Sequence, residues 1–183
     1  MAKTALVPIA DGIEEIEAAC IIDTLRRAGV EVTVASVGAL QVTASRGMKI
    51  VADASIADCT GRVYDCIALP GGMPGAEHLR DCGPLIAMLK EQKDAGRLYA
   101  AICASPAVVL HHHGLLEGVQ ATCYPAMQNQ LDPKYVSRAR VVVDGPCVTS
   151  QGPATAVEFA LKLVELLVGP AKAKDVAGAM LAI

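Results

Sequence analysis

The stretch Leu98-Tyr-Ala-Ala-Ile-Cys-Ala-Ser-Pro106 narrows the fold more than any other part of the chain. A continuous apolar run follows the polar segment Glu91–Arg97, which is the pattern of a short buried strand. The run stops at Cys103 and gives way to Pro106 and the apolar Ala107–Leu110. Proline's missing N–H costs nothing in a first helical turn, so a helix is expected there. Buried strands feeding directly into helices are the building units of parallel α/β sheets, which need aliphatic cores. The composition supplies one: 53% of residues are hydrophobic, only 3% are aromatic, and Trp is absent. A thiol at this corner projects off the edge of the sheet and lies on the positive end of the new helix. Its neighbours Ala101, Ala104 and Ser105 are small enough for a tight turn. Cys103 taken alone reads as one more buried cysteine, since free cysteine is among the most buried residue types.

A chain of 183 residues fits a single domain, 1–183, with a sizeable core. A net charge of −3 with no basic run argues against nucleic acid as a main partner. No segment reaches the ~18 uninterrupted apolar residues of a membrane span. The start runs straight into a strand pattern with no cleavable signal. Seven cysteines, at 20, 59, 66, 82, 103, 123 and 147, form an odd count without a Cys-x-x-Cys pair. That argues against a disulfide framework or a zinc ribbon, and free thiols suggest a cytoplasmic, reducing setting. No metal and no cofactor is expected.

Taken in order, Thr4–Ile9 reads as a first strand, and Asp11 as a cap for the helix that follows. The first turn of that helix carries Glu14, Glu15 and Glu17, and Arg26-Arg27 lie in its last turn before Gly29. Glu17, Ile21, Leu25 and Ala28 share one apolar face, whereas Glu15 shares a face with Ala19, Ile22 and Arg26. Burial would raise the Glu17 pKa and keep it a proton donor; the alternative is that Glu17 merely answers the helix dipole. Val30–Val37 is a second strand, and Gln41–Val51 a short hairpin around Ser45-Arg46-Gly47. Arg46 is either a solvated charge or reaches an anion or a partner subunit. Tyr64–Leu69 is a strand ending in Pro70-Gly71-Gly72-Met73-Pro74-Gly75, whose glycines let backbone N–H groups face a ligand. Residues 84–95 form a helix, and His111-His112-His113 point three ways around a helix and read as its solvated end. Val119–Thr122, Arg140–Val143 and Cys147–Ser150 read as strands, Ala154–Val168 and about 171–182 as helices. The order implies an open, mostly parallel sheet with helices on both faces, with ligands at the carboxyl ends of its strands. Glu17, Gly72 and Cys103 each follow a different strand on that edge.

At these residues the sequence resembles the ThiJ/PfpI superfamily, in the branch of the Parkinsonism-associated protein deglycase (DJ-one). The matching stretches are Ala5–Glu17, Asp23–Gly29, Ser45-Arg46, Leu69–Ala76, Ala100–Pro106 and Thr149–Thr155, spread over nearly the whole chain. The resemblance implies a flavodoxin-like (class I glutamine amidotransferase-like) fold and a homodimer. By position it makes Cys103 the reactive cysteine and Glu17 the carboxyl that hydrogen-bonds it. Gly72 and Ala104 would supply the oxyanion-hole N–H groups, and Gly71, Glu14 and Tyr124 are candidates for site or dimer contacts. Arg46 and Arg27 match positions near the dimer interface of relatives. Two departures matter. Amidotransferase and protease relatives carry His directly after the cysteine, where Ala104 stands here, which argues against those activities. Tyr124 occupies a position that holds His beside the cysteine in the human member, and tyrosine, with a reference pKa near ~10, is a poor base at neutral pH.

For Cys103 to be mostly thiolate at neutral pH its pKa must fall from ~8.5 to ~5.5, which takes roughly 4 kcal/mol. A helix N-terminus supplies up to ~2 kcal/mol, and a hydrogen bond from protonated Glu17 roughly 1.5–3 kcal/mol. Together they suffice. The resemblance implies glyoxalase or deglycase activity on α-oxoaldehydes or glycated protein without glutathione. The same thiol fits a second role, a redox sensor or redox-regulated chaperone acting through sulfinate formation at Cys103.

Overall fold

In the computed structural model, which describes residues 2–182, β1 (Thr4–Ile9) leads into α1 (Glu15–Arg27) and β2 (Glu31–Ser36). A small excursion, β3 (Gln41–Thr43) and β4 (Lys49–Val51), precedes β5 (Ala54–Ser55) and the one-turn α2 (Ile56–Cys59). Then come β6 (Cys66–Leu69), α3 (Gly75–Arg80), α4 (Gly83–Asp94) and β7 (Leu98–Ile102). The last part holds β8 (Val141–Asp144), β9 (Cys147–Ser150), α5 (Ala156–Val168) and α6 (Pro170–Ala179).

Seven strands form one sheet in the order β5-β2-β1-β6-β7-β9-β8, parallel except for β8, which runs antiparallel to β9. β3 and β4 pair separately as an antiparallel hairpin. The central strands are buried on both faces, which is why Ala5–Ile9, Cys66–Leu69 and Tyr99–Ile102 are unbroken apolar runs instead of alternating ones. One face is covered by α1, α5 and α6, with Ile21 and Leu25 of α1 buried where it meets Phe159, Leu163 and Val164 of α5. The other is covered by α2, α3 and α4. The chain winds from β1 to β2 and β5 on one side and from β6 to β7 and β9 on the other. The winding direction therefore reverses between β1 and β6, the place where sheets of this kind bind ligands at the carboxyl ends of their strands. The flavodoxin-like sheet expected from the sequence is the one observed.

Several local expectations change. Asp11 does not cap α1; its Oδ1 accepts the Thr43 N–H at 2.6 Å, tying the loop to the hairpin instead. Val119–Thr122 is no strand: only Ala121 forms a bridge, to Val136, before the chain turns at Tyr124-Pro125. The helix after Cys103 is a six-residue π-type turn, Pro106–His111. His111 and His112 are exposed as expected, but His113 is half-buried, its Nε2 2.8 Å from the Arg80 carbonyl. The short elements β5, α2 and α3 went unread because each holds too few residues to show a period.

Candidate active site

Cys103 leaves β7 with φ +64°, the left-handed region that non-glycine residues rarely occupy. Two backbone hydrogen bonds hold it there. Its N–H donates to the Ser150 carbonyl at 3.0 Å, and its own carbonyl accepts the Tyr124 N–H at 2.7 Å. The thiol thus stands off the sheet edge, half-buried, with its backbone fixed from both sides. Strain of this kind costs of order 1–3 kcal/mol and persists only where the surroundings impose it.

Gly71 and Gly72 run alongside. A Cβ on Gly71 would sit 2.7 Å from Cys103 Cβ and 2.9 Å from the Ala104 nitrogen, so no larger residue fits. Gly72 has φ +87° and lies against the backbone of Ile13 and Glu14 at the start of α1. The Glu14 N–H donates to the Gly71 carbonyl at 2.9 Å. This close approach brings the N–H groups of Gly72 and Ala104 to the Cys103 thiol.

Glu17 is fully buried on the apolar face of α1, as its spacing with Ile21 and Leu25 requires. Its Oε2 accepts the Gly71 N–H at 2.7 Å, while its Oε1 has no hydrogen-bond partner among the described residues. Burial is the main reason its pKa rises, to about 7; the Gly71 N–H and the Cys103 thiol oppose the rise and the Glu14 charge adds to it. A merely dipole-answering glutamate would stay exposed and acidic. Glu14 and Glu15 fit that description no better, because both are buried against the hairpin. The Ser45 hydroxyl lies 3.0 Å from Glu14 and 2.9 Å from Glu15, and the Arg46 N–H donates to Glu15 at 2.9 Å. For Glu15 burial pushes the pKa up, but bonds from its own backbone N–H, Ser45 and Arg46 outweigh it and lower the value.

The expected depression of the Cys103 pKa is not what the site delivers while Glu17 is charged. Burial pushes the thiol up to about 12, the Glu17 charge and hydrogen bond push the same way, and the Gly72 and Ala104 N–H groups pull it back. The six-residue turn after Cys103 is too short to sum the dipole that the sequence suggested. Cys103 and Glu17 therefore titrate as a unit, in which loss of a second proton is opposed by both burial and repulsion. The first proton leaves the pair near pH 7 and the second is held well above neutral. Two N–H donors favour the thiolate arrangement, against one, from Gly71, for the carboxylate.

Of the other residues singled out, Tyr124 is 45% exposed and touches the corner through its backbone N–H. Arg46 is exposed with its backbone on Glu15, and Arg27 pairs with Asp23 at 2.6 Å on the outer side of α1. Among the described residues no group of three or more His, Cys, Asp or Glu side chains is arranged to hold a metal ion. Ser105 and Ser150 were not read as parts of the site. Ser105, placed where a helix cap is expected just before Pro106, was the one visible signal.

Residues 3–166 match the DJ-1/PfpI family. The chain belongs to this family. Over 178 residues it is 49% identical to Protein DJ-1 homolog B of Arabidopsis thaliana, covering 96% of this chain and 41% of the plant protein. It is 38% identical over 174 residues to the Caenorhabditis elegans protein named glutathione-independent glyoxalase DJR-1.2, covering 93% of this chain and 91% of the worm protein. Among solved structures, oxidized Toxoplasma gondii DJ-1 superposes with a TM-score of 0.97 at 53% identity, covering 98% of each chain. The chain spans less than half the length of the two Arabidopsis DJ-1 homologs it matches, 41% and 46%.

Proposed function

We propose that this DJ-1/PfpI family member converts small α-oxoaldehydes to 2-hydroxy acids without glutathione, with Cys103 as nucleophile and Glu17 as proton carrier. What carries the reading is the meeting, at one strained corner, of a thiol, two backbone N–H donors and a buried carboxyl with a free oxygen. One relative bears the name glutathione-independent glyoxalase, which agrees with it. The Cys103 sulfur adds to the aldehyde carbon of a substrate such as methylglyoxal, giving a hemithioacetal. The Gly72 and Ala104 N–H groups hold the oxygen on which charge develops. Glu17 removes the proton from that carbon and delivers one to the neighbouring carbon, through an enediol, leaving a thioester of the hydroxy acid. Water then releases the acid and restores the thiol, so no external oxidant or reductant is needed. A pKa near 7 suits a group that must both take and give the proton.

Lactate formation from methylglyoxal, without glutathione, is the test. Wild type is expected to form it and Cys103→Ser to form none; a folded wild type that forms none overturns the reading. A second reading, redox sensing or redox-regulated chaperoning through Cys103 sulfinate, is favoured by the unpartnered Glu17 Oε1, which a sulfinate oxygen can meet. The similarity to a structure of an oxidized DJ-1 agrees with it. After mild peroxide, mass spectrometry should find two added oxygens on Cys103, and a disulfide there counts against this version.

The proposal extends to a homodimer, with residues 1–183 as one domain in the cytoplasm. Ile16 of α1 and Met48 and Val51 of the hairpin are 52%, 50% and 68% exposed on neighbouring elements, an apolar surface suited to a second copy. No helix of the described residues is long and apolar enough to cross a membrane.

A further inference from the structure

Ser105 occupies the N-cap position of the turn that begins at Pro106, with φ −63° and ψ −32°, yet its side chain caps nothing. A capping serine has extended backbone angles, so at these helical ones the hydroxyl is left to another partner. Here the fully buried hydroxyl donates instead to the Pro70 carbonyl, at 2.6 Å, across a gap of 35 residues in sequence. Pro70 is the last residue before Gly71 and Gly72, and Ser105 directly follows Ala104. The bond therefore joins the two loops that carry the N–H donors facing Cys103. Beside it the Gly71 N–H donates to the buried Glu17 carboxyl at 2.7 Å, so the loop that Ser105 grips at Pro70 also holds the carboxyl of the site.

From this arrangement we infer that Ser105 is a positioning residue, whose hydroxyl sets the spacing of the Gly72 and Ala104 N–H groups around the Cys103 sulfur. The role follows from chemistry as well as geometry. A short bond between two fully buried groups is not replaced by water when it is lost, so the Pro70 carbonyl is left unpaired and the loops re-space to relieve it. The N–H groups then fit the thiolate, and the oxyanion that follows it, less closely. This rests on the reading of Cys103 as the reacting thiol but not on any particular substrate.

The test is the pH profile of Cys103 alkylation by iodoacetamide, read on the Cys103 peptide by mass spectrometry, for wild type, Ser105→Ala and Ser105→Thr. The midpoint reports the first proton lost by the Cys103–Glu17 pair; the alanine variant is expected to move it up by about one pH unit, and threonine, which keeps the hydroxyl, to bring it most of the way back. With methylglyoxal, the alanine variant should lose about tenfold in kcat while KM stays within about twofold. An alanine midpoint equal to wild type overturns the inference, and so do equal shifts in alanine and threonine, which would make volume the cause. Should the alanine variant not fold, Ser105→Val against Ser105→Thr carries the same comparison, since the two have similar volume and differ by the hydroxyl. Alkylation needs no aldehyde, so absent lactate formation would sink the glyoxalase reading while these profiles still decide the role of Ser105.

Discussion

Glu17 places an ionisable group where no water reaches it, and that gives the folded state a pH dependence of known sign. Its pKa stands at about 7 in the folded protein against an ordinary 4.5, so the folded state holds its proton more tightly than the unfolded one. The stability this represents is complete below pH ~4.5 and is lost as pH rises through 7, a change of about 3 kcal/mol. Cys103 at about 12 titrates outside that window. Urea unfolding between pH 5 and pH 8 should show this decline in wild type and lose most of it in Glu17→Gln. An equal decline in both proteins would show that another group is responsible. Glu17→Gln should also abolish turnover, because an amide cannot carry the proton. The placement of Glu17 was visible in the sequence, since a helix face is fixed by spacing alone. The anchoring of Cys103 was not, because its partners Ser150 and Tyr124 are brought to it only by the folded sheet.

Among its strand residues the β3–β4 hairpin buries only Val42, and it is held to the rest of the chain by polar ties. The Gly12 N–H donates to Thr43 at 2.8 Å, the Ser45 N–H to Ile13 at 2.7 Å, and the Ser45 hydroxyl serves Glu14 and Glu15. These bonds fasten the hairpin to the segment that packs on Gly72. Ser45→Ala should cost about 1 kcal/mol and speed hydrogen exchange at residues 41–51 more than in the central strands. Uniform acceleration across the sheet would contradict a local clasp. Acid should loosen the same clasp, because Glu15 has a lowered pKa and its contribution is lost as pH falls through that value. Long or strongly apolar elements were legible: β7 was expected at Leu98–Ile102, where it lies, and α5 begins two residues after the expected start. Residues 119–122 misled because an apolar run looks the same whether or not a neighbouring strand is there to pair with it.

For the whole molecule, the exposed apolar side chains of α1 and the hairpin predict what a single charge would do. Val51→Glu should turn a sedimenting dimer into a monomer while leaving the fold intact, since Val51 is 68% exposed in one copy. A wild type that sediments as a monomer at micromolar concentration would remove the dimer from the proposal. The mostly parallel sheet with helices on both faces was legible because alternating strands and helices leave few ways to wind a chain. The antiparallel return of β8 was not, because nothing in four residues of strand states its direction. The two bonds that hold Cys103 in its strained conformation come from Tyr124 and Ser150, both later in the chain. During synthesis the cysteine leaves the ribosome before either of them has emerged, so the nascent chain carries an ordinary, relaxed thiol. Newly made protein thus passes through an interval in which Cys103 is conformationally an ordinary free cysteine, and the strained corner exists only once the C-terminal third has folded onto it.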